Sequence, residues 1–143
     1  MRFMLIIKGS ADTENGVMPD EAELVAMGNF NEEMVKAGIV RAMDGLHPSA
    51  RGARVRFKGK QTSVVDGPFA ETKELIAGFW IIDVPSLEEA VAWARRVPSA
   101  DDNESEIEVR QIFDAADFGG EFTPELRAQE DRLRVEIEEQ SKH

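Results

Sequence analysis

The segment from Ala77 to Val84 constrains the fold of this chain more than any other, because it is apolar on both of its alternating faces. In an extended strand, one face carries Phe79 and Ile81, and the opposite face carries Trp80, Ile82 and Val84. A strand of this kind has to be covered on both sides. We therefore expect helices on one face of its sheet and a second subunit on the other, so the sequence predicts a homodimer.

The first part of the chain predicts a strand, a helix and a second strand. Residues 2–8 form a short apolar strand, and Gly9–Met18 form a polar loop. A helix begins after Asp20, whose carboxylate can cap the first turn, and it ends at Gly38 before a strand at residues 39–43. Its predicted buried face consists of the apolar residues Leu24, Met27, Phe30, Met34 and Val35, which recur at helical spacing.

A β-hairpin is predicted next, with its two arms on either side of a turn at Gly59-Lys60. The alternation in the first arm places Val55 and Phe57 on an inward face, and the outward face carries Arg54, Arg56 and Lys58. The second arm ends at Asp66-Gly67-Pro68, because Asp and Gly favour turns and proline has no N–H to donate to a strand ladder.

The later part of the chain repeats the order of strand, helix and strand. The strand at residues 77–84 leads to a helix that is capped by Ser86 and ended by Pro98, and a strand at residues 106–113 follows. Two such units predict an α+β fold, the ferredoxin-like split βαβ sandwich with a β-hairpin insert. Closure of its open sheet face on a second copy would give the dimeric α/β-barrel type.

A final helix is predicted from Thr123-Pro124 onwards, because proline is well tolerated at the first helical position. Its apolar stripe is thin, so it either docks on a partner subunit or frays. We accordingly expect one domain over residues 1–120 and a C-terminal helical tail over residues 121–143.

Composition narrows the class of protein. The chain has 143 residues with 28 acidic and 17 basic side chains, a formal net charge of −11 and no cysteine. Disulfides, thiolate metal sites and cysteine nucleophiles are thereby excluded. So acidic a chain is not expected to bind nucleic acid through its overall field. Its apolar runs are far shorter than the ~20 residues of a membrane span, and we predict a cytoplasmic protein.

Two side chains are candidates for acid–base chemistry. His47 is the imidazole available for it, since the other histidine, His143, lies on a charged tail and is predicted to be solvated. Asp66 ends a strand and precedes Gly67-Pro68-Phe69, where a carboxylate can lie at the mouth of a pocket. Each also has a plainer interpretation, as an exposed loop histidine and as a turn aspartate that bonds its own backbone.

Residues 51–60 carry five basic side chains and no acidic one. The rest of the chain then has 12 basic and 28 acidic residues, which is a formal net charge of −16. Arg54 and Arg56 share a strand face, and such a stripe can bind a small anion such as a carboxylate or phenolate. It can equally be a solvated face whose charges protect an edge strand and pair with acidic segments of the same protein.

No metal or organic cofactor is predicted. The acidic run at residues 101–104 lacks the glycine and glutamate register of a calcium loop and is expected to be a solvated loop. Histidine spacing suited to zinc is also absent from the sequence.

The segment Asp66-Gly67-Pro68-Phe69-Ala70-Glu71-Thr72-Lys73-Glu74 resembles the DGPF-motif branch of the YCII-related family. The resemblance covers about residues 1–120, through Leu46-His47-Pro48-Ser49 before the motif and Ile76-Ala77-Gly78-Phe79-Trp80 after it. It implies a dimeric ferredoxin-like α+β fold and a pocket at the dimer face, with a His–Asp pair in some members. The motif carries this aspartate over to Asp66, and His47 is the candidate histidine.

On this resemblance we expect a small anionic or aromatic molecule to bind near the dimer face. In a catalytic interpretation, His47 acts as the general acid or base of a lyase or hydrolase, Asp66 orients it, and Arg54 or Arg56 holds the anion. The apolar wall would come from Phe69, Phe79 or Trp80. In the alternative interpretation, the protein is a non-catalytic ligand sensor or regulator whose protein partner is a sigma-factor-like regulator. Whether it is an enzyme stays open.

Overall fold

The pairing of the strands defines the fold in a computed structural model of the chain, which describes residues 1–99 and 104–142. In those ranges the strands are β1 (Arg2–Lys8), β2 (Val40–Gly45), β3 (Ala53–Lys58), β4 (Gln61–Asp66), β5 (Ile76–Asp83) and β6 (Ile107–Gln111). The main sheet is antiparallel with the strand order β2-β5-β1-β6. A separate two-stranded sheet is formed by β3 and β4. This order is that of the ferredoxin-like split βαβ sandwich, so the predicted fold class is confirmed.

The α-helices of the described chain are α1 (Ala11–Glu14), α2 (Glu21–Lys36), α3 (Leu87–Ala94) and α4 (Pro124–Ser141). The three longer helices begin at the predicted N-caps. The Asp20 carboxylate accepts the Glu23 N–H at 2.8 Å, the Ser86 hydroxyl accepts the Glu89 N–H at 3.2 Å, and the Thr123 hydroxyl accepts the Leu126 N–H at 3.3 Å. Side-chain oxygens thus satisfy N–H groups that would otherwise lack partners in the first turn.

The core lies between the main sheet and the helices α2 and α3. It consists of Phe3, Leu5, Phe30, Met34, Trp80, Ile82, Val84 and Ala90, all of them buried. Phe30 of α2 makes edge-on ring contacts with Trp80 of β5 and with Trp93 of α3. The opposite face of β5 carries Phe79 and Ile81, which are only half-buried in a single chain.

The predicted inward face of the hairpin is wrong. Val55 is 54% exposed and Phe57 is 77% exposed, and Val64, which pairs with Val55, is 66% exposed. Arg54, which we expected to point outward, is instead half-buried. The alternation correctly separates the two faces, but the hairpin lies outside the main sheet, so a period of two does not tell which face is covered.

Two predictions in the first part of the chain also need correction. Leu24 and Val35, assigned to the buried face of α2, are 59% and 54% exposed, because that helix buries mainly Phe30 and Met34. The segment predicted as a polar loop contains α1, whose N-cap Ser10 exchanges hydrogen bonds with Thr13. A four-residue helix without buried side chains leaves no apolar periodicity to detect.

The chain divides into two compact units, Met1–Ile112 and Phe113–His143. In the second unit, a 3₁₀ segment (Ala115–Glu121) precedes α4, and the ring centroid of Phe118 lies 5.0 Å from that of Phe113 and 5.3 Å from that of Phe122, with the rings tilted. The expected boundary between residues 120 and 121 stays a prediction. The predicted solvated loop at residues 101–103 and the predicted solvation of His143 lie outside the described residues.

None of the helices in residues 1–99 and 104–142 is both long enough and apolar enough to cross a membrane.

Candidate functional site

Ser49 joins three segments that are distant in the sequence. It opens a 3₁₀ turn (Ser49–Arg51) directly after Pro48. Its backbone N–H donates to Oε1 of Glu14, at the end of α1, at 3.0 Å, and its hydroxyl donates to Oε2 of the same carboxylate. The hydroxyl oxygen in turn accepts the N–H of Phe69 at 3.0 Å. One serine therefore ties α1, the loop that contains His47 and the turn after Asp66 to one another.

Gly67 packs directly against this loop. Its N–H donates to the carbonyl of Gly52 at 3.0 Å, and the peptide bond to Pro68 is cis. A Cβ atom at position 67 would lie only 1.7 Å from the carbonyl oxygen of Ser49. Only glycine permits so close a backbone approach. Packing against the Ser49 carbonyl thus explains why position 67, in the segment Asp66-Gly67-Pro68-Phe69, is a glycine.

Arg54 of β3 stacks on the aromatic residue of the same segment. Its central guanidinium carbon lies 3.8 Å from the centroid of the Phe69 ring, which is within the range of a cation–π contact. Both side chains are half-buried. In the described part of the chain, no hydrogen bond or ion pair occupies the guanidinium, so its N–H donors remain available to an anion.

His47 is exposed, and its charged neighbour is Arg51. The Nη1 atom of Arg51 lies 3.4 Å from Nδ1 and 3.3 Å from Nε2 of the imidazole. These nearly equal distances place the guanidinium nitrogen against the ring rather than in line with one ring nitrogen. Arg51 is the last residue of the 3₁₀ turn that follows His47 and Pro48.

Asp66 is the last residue of β4, lies opposite Ala53 and is exposed. Within residues 1–99 and 104–142, no hydrogen bond or ion pair joins Asp66 to His47. The Ser49 contacts bring the backbones of the two predicted segments together, but they do not bring these two side chains together. Their pairing as a catalytic dyad stays a prediction.

The remaining candidate residues are spread over different surfaces. Arg56 is exposed on the same hairpin face as Arg54. Trp80 lies in the core, where its indole N–H donates to Oδ1 of Asn31 at 2.8 Å, and Phe79 lies on the opposite face of β5. One wall of a pocket cannot include both aromatic residues of β5. Among the described residues, no group of three His, Asp or Glu side chains is arranged to hold a metal ion.

The sequence analysis missed Glu14 and the central position of Ser49. Ser49 belongs to the segment Leu46-His47-Pro48-Ser49 that resembles the family, and this was the signal available for it. Glu14 had no such signal, because its partner lies 35 positions further along the chain.

Two comparisons with known proteins identify the family to which this sequence is similar. Residues 1–116 match the profile of the YCII-related domain. The chain is also similar to an uncharacterized protein of Rhizobium meliloti (strain 1021), with 37% identity over 93 residues. That match covers 65% of this chain and 75% of the relative.

Proposed function

Because the chain belongs to the YCII-related family, we propose that it binds a small anionic molecule beside Arg54, at the turn from Asp66 to Phe69. We also assign it to the DGPF-motif branch, on the strength of the Asp66-Gly67-Pro68-Phe69 segment. Anion binding is the proposed function. Acid–base catalysis would also require His47 and Asp66 to approach each other or the substrate.

The stacking of Arg54 on Phe69 is the observation that carries this proposal. The ring holds one face of the guanidinium, so the N–H groups in its plane keep a fixed direction and lose little entropy on binding. A carboxylate or phenolate can accept two of these bonds, and bonds with both partners charged are roughly twice as strong as neutral ones. The positive charge of residues 51–60 adds a field that attracts anions.

Binding without catalysis is the form that the geometry favours. The charged neighbour of His47 is Arg51 rather than Asp66, and an arginine cannot accept a proton at ordinary pH. In the catalytic form, His47 and Asp66 would have to come within about 2.6–3.2 Å of each other or of the substrate. A crystal structure with a bound anion would measure these distances directly.

A homodimer is part of the proposal. Phe79 and Ile81 on the open face of the main sheet are half-buried in one chain, and the same face of a second copy would cover them. Ile81→Asp places a charge in that interface, so the variant is expected to lower the mass measured by light scattering to that of one chain. An unchanged dimer mass would reject this face as the interface.

A ligand sensor of this kind can act through another protein, and we propose a cytoplasmic setting with a sigma-factor-like regulator as the partner. The acidic charge outside residues 51–60, −16 in total from 12 basic and 28 acidic residues, provides a surface for a basic partner. Co-purification of the two proteins, lost at high salt, is the expected result.

Titration with benzoate, followed by the side-chain Nε–H signals of arginine in NMR spectra, tests the anion site. We expect the Arg54 signal to shift and Arg54→Ala to weaken binding about 10-fold or more, as for loss of a charged hydrogen bond. Arg95→Ala is the matched control, because Arg95 is an exposed arginine at the end of α3, outside the hairpin and its turn. Equal affinities of wild type and Arg54→Ala would reject the site.

A further inference from the structure

The strand register divides the hairpin formed by β3 and β4 into two faces of different chemistry. The basic face combines the three cations of β3 with their uncharged partners on β4, namely Arg54 with Val65, Arg56 with Ser63 and Lys58 with Gln61. The opposite face is mainly apolar and includes Val55, Phe57 and Val64. Asp66 lies opposite Ala53 and therefore belongs to this second face. The strands thus place no carboxylate on the basic face.

The cations of the basic face have no acidic partner in the described part of the chain. No ion pair there includes Arg54, Arg56 or Lys58, although the sequence contains 28 acidic side chains. Arg54 stacks on Phe69, whereas Arg56 and Lys58 are exposed. The last two side chains are therefore available to carboxylates of another molecule.

The outer edge of β3 is open as well. Among the described residues, the second sheet consists of β3 and β4 alone, so β3 has a neighbouring strand on one edge only. An open edge presents N–H and C=O groups to which an extended peptide can add as a further strand. Alternate side chains of such a strand project to the same face roughly 7 Å apart, which is also the spacing of successive basic side chains along β3.

We propose that β3 binds an extended acidic segment of another protein, which adds to the open edge as a third strand. Its acidic side chains, at alternate positions, lie beside Arg56 and Lys58, since directly opposed residues have Cβ atoms about 4.5–5.5 Å apart. The positions between them lie beside Val55 and Phe57 and are apolar. The inference goes beyond the small-anion site and does not require it, because Arg56 and Lys58 carry it.

An acidic peptide fits this face better than a nucleic acid or a second hairpin. Single-stranded nucleic acids bind through aromatic side chains on which bases stack, but Phe57, the aromatic residue of β3, belongs to the opposite face. The net charge of −11 also repels a long polyanion. Pairing of two β3 edges would oppose like charges, which is destabilising.

Fluorescence anisotropy with the labelled, end-capped peptide Glu-Val-Glu-Val-Glu-Val tests the proposal on the full chain. We expect binding that weakens as the salt concentration rises. The control peptide Glu-Glu-Glu-Val-Val-Val has the same composition without the alternation and should bind several-fold more weakly. A thymidine tetranucleotide, whose three phosphates give it the same charge, should bind no better than this control. No binding of the alternating peptide, equal binding of both peptides, or tighter binding of the tetranucleotide would overturn the proposal.

Methylation of the peptide's amide nitrogens tests the main-chain pairing. The N–H groups of the valines point to one edge of the extended peptide, and those of the glutamates point to the other. Methylation of the valines therefore blocks one edge, and methylation of the glutamates blocks the other. One of these two peptides should lose binding and the other should keep it. Unchanged binding of both would overturn addition at the strand edge.

A pair of double variants tests the basic face. Arg56→Ala with Lys58→Ala should weaken binding of the alternating peptide about 3- to 10-fold, as for loss of two exposed ion pairs. Lys36→Ala with Arg95→Ala is the matched control, because it removes the same charge from two exposed positions outside the hairpin, and its affinity should equal that of the wild type. Equal affinities of the two double variants would overturn the proposed contacts.

A charge-preserving variant separates lost charge from a disturbed hairpin. Arg56→Lys with Lys58→Arg keeps both cations on the basic face, so it should bind the alternating peptide like the wild type. Circular dichroism would verify that each variant is folded. If this exchange weakens binding as much as the two alanines do, the effect does not come from the charge of the face, and the proposal is overturned.

Discussion

The guanidinium of Arg54 lies over the ring of Phe69, with its central carbon 3.8 Å from the ring centroid. Arg54 comes from the first arm of the hairpin, and Phe69 comes from the turn that follows the second arm. The contact therefore closes the base of the hairpin and gives a half-buried cation a fixed direction. The same contact should influence both stability and anion binding.

A double-mutant cycle with Arg54→Ala and Phe69→Leu measures the stability part. We expect a coupling free energy of about 0.5–1 kcal/mol, typical of a partly exposed cation–π pair. Leucine keeps apolar bulk at position 69 and removes only the aromatic face. Urea unfolding of the wild type, the two single variants and the double variant gives the value. Strictly additive effects would show that the two side chains do not stabilise each other.

Gly67→Ala is predicted to be strongly destabilising. The new Cβ would meet the Ser49 carbonyl oxygen at 1.7 Å, so the turn or the Ser49 loop must move. Such overpacking typically costs about 1–3 kcal/mol in the free energy of unfolding, which chemical denaturation measures.

The matched control for that substitution is Gly52→Ala. Gly52 has an extended backbone with φ of −119°, and a Cβ there would meet the Ser49 carbonyl oxygen at an ordinary 3.5 Å. We expect this variant to be neutral or more stable by up to about 1 kcal/mol, since alanine lowers the entropy of the unfolded chain. Equal losses at both positions would reject the packing explanation for Gly67.

The order of the six strands and the three longer helices was predictable from the sequence because the signals for these elements are local, whereas α1 gave no such signal. Asp20, Ser86 and Thr123 each cap a helix through an N–H three positions further on. Which face of an element becomes buried is not a local property. Phe57 and Leu24 both belong to correctly identified apolar stripes, yet both side chains are exposed, since coverage depends on where the whole element lies.

The site was predictable only in part, for a related reason. The motif identified Asp66 and Phe69, and the basic run identified Arg54. The bonds that arrange them join Glu14 to Ser49 and Ser49 to Phe69, across 35 and 20 positions. Composition and periodicity contain no information on such pairs, so the central position of Ser49 emerges only in three dimensions.

Asp83 should make stability depend on pH. The hydrogen bond from the Met1 ammonium, at 3.1 Å, is the largest cause that lowers the pKa of this carboxyl; desolvation opposes it, and the charges of the Met1 ammonium, Arg41 and Arg2 assist it. A carboxyl with a lowered folded pKa stabilises the fold above its unfolded pKa, about 3.9, and this contribution is lost as the pH falls through the folded value.

We therefore expect the stability difference between wild type and Asp83→Asn to be largest near neutral pH and to shrink towards about pH 3. Urea unfolding at both pH values measures it. A difference that stays constant over this range would show that the charge of Asp83 does not stabilise the fold.

The buried Trp80 should depend on Asn31. Its indole N–H donates to Oδ1 of Asn31 at 2.8 Å, and the ring is only 3% exposed. Asn31→Ala leaves this donor unpaired, which costs about 1–3 kcal/mol. In a Trp80→Phe background, which lacks the donor, the same substitution should cost less. Unfolding followed by circular dichroism compares the two backgrounds, and equal costs would assign the effect of Asn31 to helix packing.

Ser49→Ala should loosen the turn that carries Phe69. The substitution removes the hydroxyl that donates to Glu14 and accepts the Phe69 N–H, and it is expected to cost about 1–3 kcal/mol because these partners are partly buried. Ser63→Ala, at an exposed position of β4, is the control and should change stability by less than about 0.5 kcal/mol. If Ser49 acts locally on the turn, the Ser49→Ala substitution should accelerate hydrogen exchange at the Phe69 amide more than exchange at the amides of β1 or β5. Uniform acceleration would mean that Ser49 stabilises the domain without positioning the turn.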